Sequence, residues 1–408
     1  MNADAALSST GPRCVLVLNA GSSSLKFAIF DAAEPSRAAM RGEIENLNVA
    51  PRFSAVDGQG APLASPPWPT TGPSDFAAVI KILMNFVAGH LAGGILIGVG
   101  HRVVHGGGAH AKPERITPEL LAALRALTPL DPIHLPHNLD LIGAVSDALP
   151  ELPQVACYDT SFHQTMPPEA AHFALPRELT DAGVRRYGFH GLSYEFIARR
   201  LETIAPSLAL GKVIVAHLGA GASLCALREG KSVATTMGFS ALDGLVMATR
   251  CGSLDPGVVL YLARQGKSAK EIEDILYRRS GLLGISGISG DMRVLAASAD
   301  PRAREAITLF CHRAAVEIGA LASALGGIDG LVFTAGIGEN AVAIRADIGA
   351  RLAWLGVSID EGANEANAAR ISPKGAALEV RVIKTDEEAM IARHTLALVG
   401  AALSPNAP

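Results

Sequence analysis

Asn19 and Lys26 bracket a run of small residues, Ala20, Gly21, Ser22, Ser23 and Ser24. Glycine and serine in a tight turn let backbone N–H groups approach a ligand and add hydroxyl donors, a combination suited to phosphate. Asn19 supplies an oxygen for a metal ion and Lys26 a cation for phosphate. The competing reading is an ordinary hairpin with a polar turn. A second run has the same character: His217, Leu218, Gly219, Ala220, Gly221, Ala222, Ser223. Two more strand ends finish in small residues, at Gly106 and at Gly336, and open α/β sheets bind ligands beyond strand ends. Arg102 closes an apolar run, Arg250 sits in a loop before Cys251 and Gly252, and Arg293 follows Asp291. Arginines so placed meet either a structural carboxylate or the carboxylate or phosphate of a ligand. His134 and His137 lie in a proline-broken loop, and no H-E-x-x-H pattern occurs, which argues against zinc.

These side chains need strands to hold them. Residues 15–18 and 25–30 read as two antiparallel strands across the first turn. Residues 95–104, 154–158, 212–216, 224–228, 331–334 and 380–384 read as further strands, the third of these runs opening the second glycine turn. Residues 32–75 read as weak strands and loops. Helices are expected from an Asp75 cap to about residue 87, from Thr117-Pro118 to about 127, over 138–149 after a loop at 131–137, and after Asp255-Pro256. Ser268 and Glu271 form a capping box for a helix ending near 280, with Gly281 as its stop. Residues 302–325 form a long packing or dimer helix through Ile307, Phe310, Cys311, Val316, Ile318, Leu321 and Leu325. Thr385 or Asp386 caps a terminal helix reaching about 399. The two glycine-turned hairpins, the second with one extra turn residue, suggest an internal duplication.

Length and charge narrow the class. The chain has 408 residues, 49% hydrophobic and 18% charged, enough for two domains with sizeable cores. Its net charge of −4 argues against a nucleic-acid partner. Five scattered cysteines without a C-x-x-C suggest reduced thiols in the cytoplasm. Residues 1–13 lack the features of a signal peptide and are expected to be disordered. The apolar stretch 86–104 is too interrupted by glycine and histidine to span a membrane.

In combination the motifs resemble those of the acetate kinases, within the acetate and sugar kinase/actin superfamily. The resemblance runs through LNAGSSSLKF at 18–27, GHRVVHGG at 100–107, DTSFHQTMP at 159–167, RRYGFHG at 185–191, HLGAGAS at 217–223, MATRCGSLDPG at 247–257, SGDMR at 289–293, TAGIGEN at 334–340 and TDEEAMIAR at 385–393. It implies an α/β protein of two actin-like, ribonuclease H-like domains with the active site in a cleft between them. The expected domains are 1–160 with 388–408, and 161–387, the latter for nucleotide binding and dimerisation. The implied reaction is reversible phosphoryl transfer from ATP to a small carboxylate, giving an acyl phosphate and ADP. It requires Mg2+ or Mn2+ and is carried out by a cytoplasmic homodimer with no membrane partner.

The same resemblance assigns roles. Asn19 and Glu387 would hold the metal, with Asp159 near it. Ser22, Ser24 and Lys26 would face phosphate. Arg102 and Arg250 would grip the carboxylate and the moving phosphoryl group, His190 would stabilise the transition state, and His134 would support it. His217, Leu218, Gly219, Ala220 and Gly221 would line the nucleotide phosphates. Asp291, Met292 and Arg293, with Gly336, Ile337, Gly338, Glu339 and Asn340, would hold the adenosine. Val104, Ile133, Phe189 and Ala241 would form the acyl pocket. A carboxylate acceptor, with a pKa near ~4–5, is already ionised at pH 7 and needs no general base, so Asp159 reads as a metal or water positioner. As an acid in the first turn of a helix, Glu387 also has a purely structural reading.

Three departures from the family pattern stand out. Ala220 replaces an asparagine, Leu135 replaces another, and Ala241 replaces a proline. The last widens the acyl pocket by roughly one methylene, worth about 1 kcal/mol or more in discrimination. A propionate or other short-chain carboxylate kinase is therefore one alternative, and a non-catalytic nucleotide-binding module is another.

Overall fold

The computed structural model describes residues 11–21, 24–47, 51–67, 76–91 and 93–401. Ser22, the Asp75 cap and most of the leader lie outside the described residues. The chain divides into two compact units, residues 1–161 with 386–408, and residues 162–385.

The first unit is built on a seven-stranded sheet: β1 (Arg13–Ala20), β2 (Leu25–Asp31), β3 (Ala38–Glu45), β4 (Arg52–Asp57), β5 (Ile95–Val103), β6 (Glu114–Arg115) and β7 (Gln154–Tyr158), in the order β4-β3-β2-β1-β5-β7-β6. The first four form an antiparallel meander, and β5 and then β7 run parallel to β1. On one face Leu16, Leu18 and Phe27 pack with Val79 and Leu83 of helix Phe76–His90 and with Val145 of helix Leu135–Ala148. Burial of such side chains contributes about 1.5–3 kcal/mol each. The terminal helix Glu387–Ala401 also lies against β5, so closely that a Cβ at Gly100 would fall 2.2 Å from Thr395 Oγ1. Asp386 caps that helix, accepting from Ala389 N at 2.9 Å.

The second unit repeats the plan with β8 (Lys212–Leu218), β9 (Ala222–Arg228), β10 (Lys231–Thr235), β11 (Gly330–Thr334) and β12 (Glu379–Val382), in the order β10-β9-β8-β11-β12. Again an antiparallel meander is followed by two parallel strands. Pairing corrects one detail of the duplication. Asn19 pairs with Lys26 and His217 with Ser223, so the second turn is one residue shorter than the first, not longer.

Other expectations shift at element ends. Residues 335–340 form a short helix, where the glycines suggested an open turn. The helix expected from 138 starts at Leu135, with Pro136 tolerated in its first turn. Gly281, expected as a stop, opens another short helix. Helix Pro301–Leu325 is long and apolar enough to cross a bilayer, yet ten of its residues are buried within the unit, which makes it a core helix. Val316, expected to pack, is 48% exposed.

Candidate active site

The sheet ends of the first unit bring one set of polar residues together. Arg102, near the end of β5, donates from Nε to both carboxylate oxygens of Asp159, at 3.1 Å each, and from Nη2 to Oδ2. Its Nη1 reaches Asn19 Oδ1 at 3.4 Å. Asn19 Nδ2 in turn donates to Glu387 Oε2 at 3.4 Å and to Glu388 Oε1 at 3.3 Å. Asp159 is only 1% exposed at its side chain. The Glu387 carboxyl is pushed up to about 7 by burial, with Asp159 and Glu388 adding to the shift and Arg102 and Lys26 opposing it.

Lys26 is exposed, and Ser24 closes the turn by accepting from Gly21 N through its carbonyl at 2.8 Å. Val104 N donates to Asn138 Oδ1 at 2.9 Å, and Asn138 Nδ2 donates to Ala20 O at 3.1 Å. Asn138, which carries no role in the motif reading, thus ties the ends of β1 and β5. His134 bonds Asp131 through Nδ1 at 2.9 Å. Burial opposes the Asp131 charge, but the hydrogen bonds from His134 hold its pKa low. Ile133 is half-buried beside it.

The second unit gathers the other set. His190 sits at φ 58°, left-handed for a side chain bearing a Cβ, and opens helix Gly191–Ile204. Its ring stacks on His217, with centroids 4.2 Å apart and planes 17° apart. His190 Nδ1 bonds Ser223 Oγ at 2.8 Å. His217 Nδ1 bonds Ser193 Oγ at 2.8 Å, and Ser193 Oγ meets Thr385 Oγ1 at the same distance. A Cβ built on Gly221 would lie 3.3 Å from His190 Nε2 and 3.6 Å from Arg250 Nη2. Two side-chain nitrogens therefore converge on Gly221, where a Cβ would crowd the His190 ring. Arg250 is braced by Ala241 O, which accepts from Nη1 at 2.8 Å. Phe189, Ala241 and Leu218 are buried, while Ala220 is exposed.

His163, part of the DTSFHQTMP motif, is buried and makes two bonds: Nδ1 with Ser232 Oγ and Nε2 with Phe189 O, each at 2.9 Å. A ring that donates Nε2–H to a carbonyl and accepts at Nδ1 is neutral, and burial lowers its pKa to about 4. It fixes the backbone just before His190.

The TAGIGEN segment is held at both ends. Glu339 Oε1 accepts from Ala335 N at 2.9 Å and Thr385 N at 3.0 Å. Arg345, fully buried, donates from Nη1 to Gly338 O at 3.0 Å and Glu339 O at 2.9 Å, and from Nε to Asn364 Oδ1 at 2.7 Å. Glu339 is thus a helix cap here, Gly338 is buried, Ile337 is half-buried, and Gly336 and Asn340 are exposed. Asp291 caps its own helix by accepting from Arg293 N at 2.8 Å, and Arg293 folds back onto it, 91% exposed. Met292 is buried in the core.

A metal fits the first set in chemistry. Among the described residues no three His, Cys, Asp or Glu side chains form a ready-made metal cage. Asn19, Glu387, Asp159 and Glu388 nevertheless offer oxygen donors only and carry an excess of negative charge over Arg102. That suits a hard divalent cation that keeps several waters and phosphate oxygens among its ligands.

A duplicated meander-plus-parallel sheet with these two sets defines a phosphotransferase of the actin-like kinase class. More narrowly, the chain belongs to the acetokinase family, whose model matches residues 14–393. An acetate kinase of Rhodopseudomonas palustris is 52% identical over 387 residues, covering 93% of this chain and 97% of that protein. One from Methylocella silvestris is 49% identical, covering 95% and 98%. Among solved structures, a propionate kinase from Francisella tularensis superposes with TM-score 0.87 at 38% identity, over 94% of this chain and 99% of that one. Porphyromonas gingivalis acetate kinase superposes with TM-score 0.84 at 33% identity, over 95% and 100%.

Proposed function

We propose that this enzyme transfers the terminal phosphoryl group of ATP to acetate, reversibly, giving acetyl phosphate and ADP, with Mg2+ (or Mn2+) as the metal. The observation that carries the reading is the convergence of His190 Nε2 and Arg250 Nη2 over Gly221, where donors can neutralise the oxygens of a moving phosphoryl group. In this reading Asn19 and Glu387 hold the metal, which draws charge from the phosphates when bound. Asp159, hydrogen-bonded to Arg102, orients rather than takes a proton, because the acceptor carboxylate arrives already charged. Arg102 presents the rest of its guanidinium to that acceptor, near Val104 and Ile133. The Gly219–Gly221 turn and His217 serve the phosphates, and Lys26, Ser22 and Ser24 support them. Arg293 and the Gly336–Asn340 segment serve the adenosine. His134 acts from the Asp131 side.

The enzyme works as a cytoplasmic homodimer, with neither nucleic acid nor membrane as partner. Exposed Leu254, Val258, Leu260 and Tyr261 support a subunit interface along helix Pro256–Arg264. Ala241 supports a second reading, good use of propionate. An acyl-hydroxamate assay with Mg-ATP and acetate, propionate or butyrate tests both, with Arg250→Ala as control. Product from acetate that is lost in the control is the expected result. No product from any acid would overturn the proposal.

A further inference from the structure

His190 does not hold its ring in place alone. The register of β8 and β9 sets Ser223 directly across from His217. His190 stacks on the first of that pair and bonds the second, so one cross-strand pair fixes both the plane of its ring and its rotation in that plane. Behind Ser223 stands Tyr194, one turn along the helix that His190 opens, its hydroxyl in a short hydrogen bond to Ser223 Oγ. Tyr194 and Ser223 are both fully buried.

We infer that Ser223, backed by Tyr194, is the positioning residue that fixes the tautomer of His190, so that Nε2 carries the hydrogen it presents over Gly221. The argument is one of proton order along three atoms. A phenol is a stronger acid than an alkyl alcohol, hence the better donor and the poorer acceptor of the two. Tyr194 O–H therefore donates to Ser223 Oγ, and Ser223 O–H donates to His190 Nδ1. An imidazole that accepts at Nδ1 carries its proton on Nε2. If His190 takes up a second proton, Nδ1–H donates to Ser223 Oγ and Nε2 keeps its hydrogen. In both charge states the same nitrogen faces Gly221 as a donor, beside Arg250 Nη2. No bond is made or broken by the pair. It acts through His190 and touches no reacting atom.

The inference rests on the role proposed for His190, and its test separates the two. Ring 15N shifts of histidine-labelled protein, with His190 assigned by its disappearance in H190Q, report the tautomer without any turnover. The wild type is expected to show the Nε2–H form, and Ser223→Ala a shift towards a mixture. In turnover, Ser223→Ala should lower kcat about 10- to 100-fold with both KM values within about twofold, and should displace the acid limb of the kcat profile. Tyr194→Phe keeps the serine and guards against misfolding of the alanine variant. It should give the same changes, smaller. An unchanged ring spectrum in both variants, or losses carried by KM with the pH profile unmoved, would overturn the inference. A wild type that shows the expected ring spectrum but makes no acetyl phosphate would overturn the proposed function instead.

Discussion

Arg102 and Asp159 hold one another: a buried carboxylate takes donors from Nε and Nη2 of an arginine that sequence reasoning assigned to the substrate. The pair belongs to the fold as well as to the proposed site. Asp159→Asn should leave Arg102 without its counter-charge and cost about 3 kcal/mol of stability, while kcat falls by about 100-fold or more. Urea unfolding and initial rates read the two effects. A stable, active Asn variant would show that the pair matters to neither.

Acyl selectivity should respond to Ala241. Its carbonyl braces Arg250, a contact that proline preserves, so Ala241→Pro alters pocket volume and leaves the arginine in place. The ratio of kcat/KM for propionate to that for acetate should drop by about fivefold or more. Equal ratios in the two proteins would remove Ala241 as the cause of any propionate use.

Arg345→Met tests the buried clamp on the TAGIGEN segment. Three carbonyl oxygens and an amide oxygen lose their donor. Stability should fall by about 3 kcal/mol, and KM for ATP should rise several-fold with KM for acetate unchanged. Equal rises in both would mean that the clamp serves the whole unit and not the nucleotide segment.

Acid should weaken the fold through buried histidines. His101, His105 and His163 are each lowered to about 4 by burial. At pH 7 they are neutral in the folded chain and mostly neutral in the unfolded one. As pH falls below about 6.5 the unfolded chain binds protons that the folded chain refuses, so stability drops until about pH 4. The loss is on the order of 3 kcal/mol per histidine. Unfolding curves at pH 7, 6 and 5 should show a shallower slope for His163→Gln than for the wild type, and parallel slopes would count against this account.

Much of this was legible in the chain. The strand that carries Asn19, the glycine turn after His217 and the Thr117 and Ser268 caps are local patterns, and they appear close to where residue types put them. The residues that hold the site were not legible. Ser223 reaches His190 across 33 positions, and Thr385 reaches Ser193 across 192. No periodicity encodes a hydrogen bond between distant serines, threonines and histidines. Arg345 stands outside every motif, and only tertiary packing reveals that it is enclosed by carbonyls. The TAGIGEN segment reads as a loop because its glycines lower helix propensity. It is helical because Glu339 and Arg345 satisfy its ends.

Four hydrogen bonds around His190 and His217 join serine, threonine and tyrosine hydroxyls to one another and to imidazole rings. Dissolved ions screen charges and leave such dipoles nearly untouched. Raising the ionic strength should therefore weaken the hold on anionic substrates while the aim of the histidine stays the same, so that salt acts on this enzyme as a competitor for its ligands and not as a solvent for its geometry.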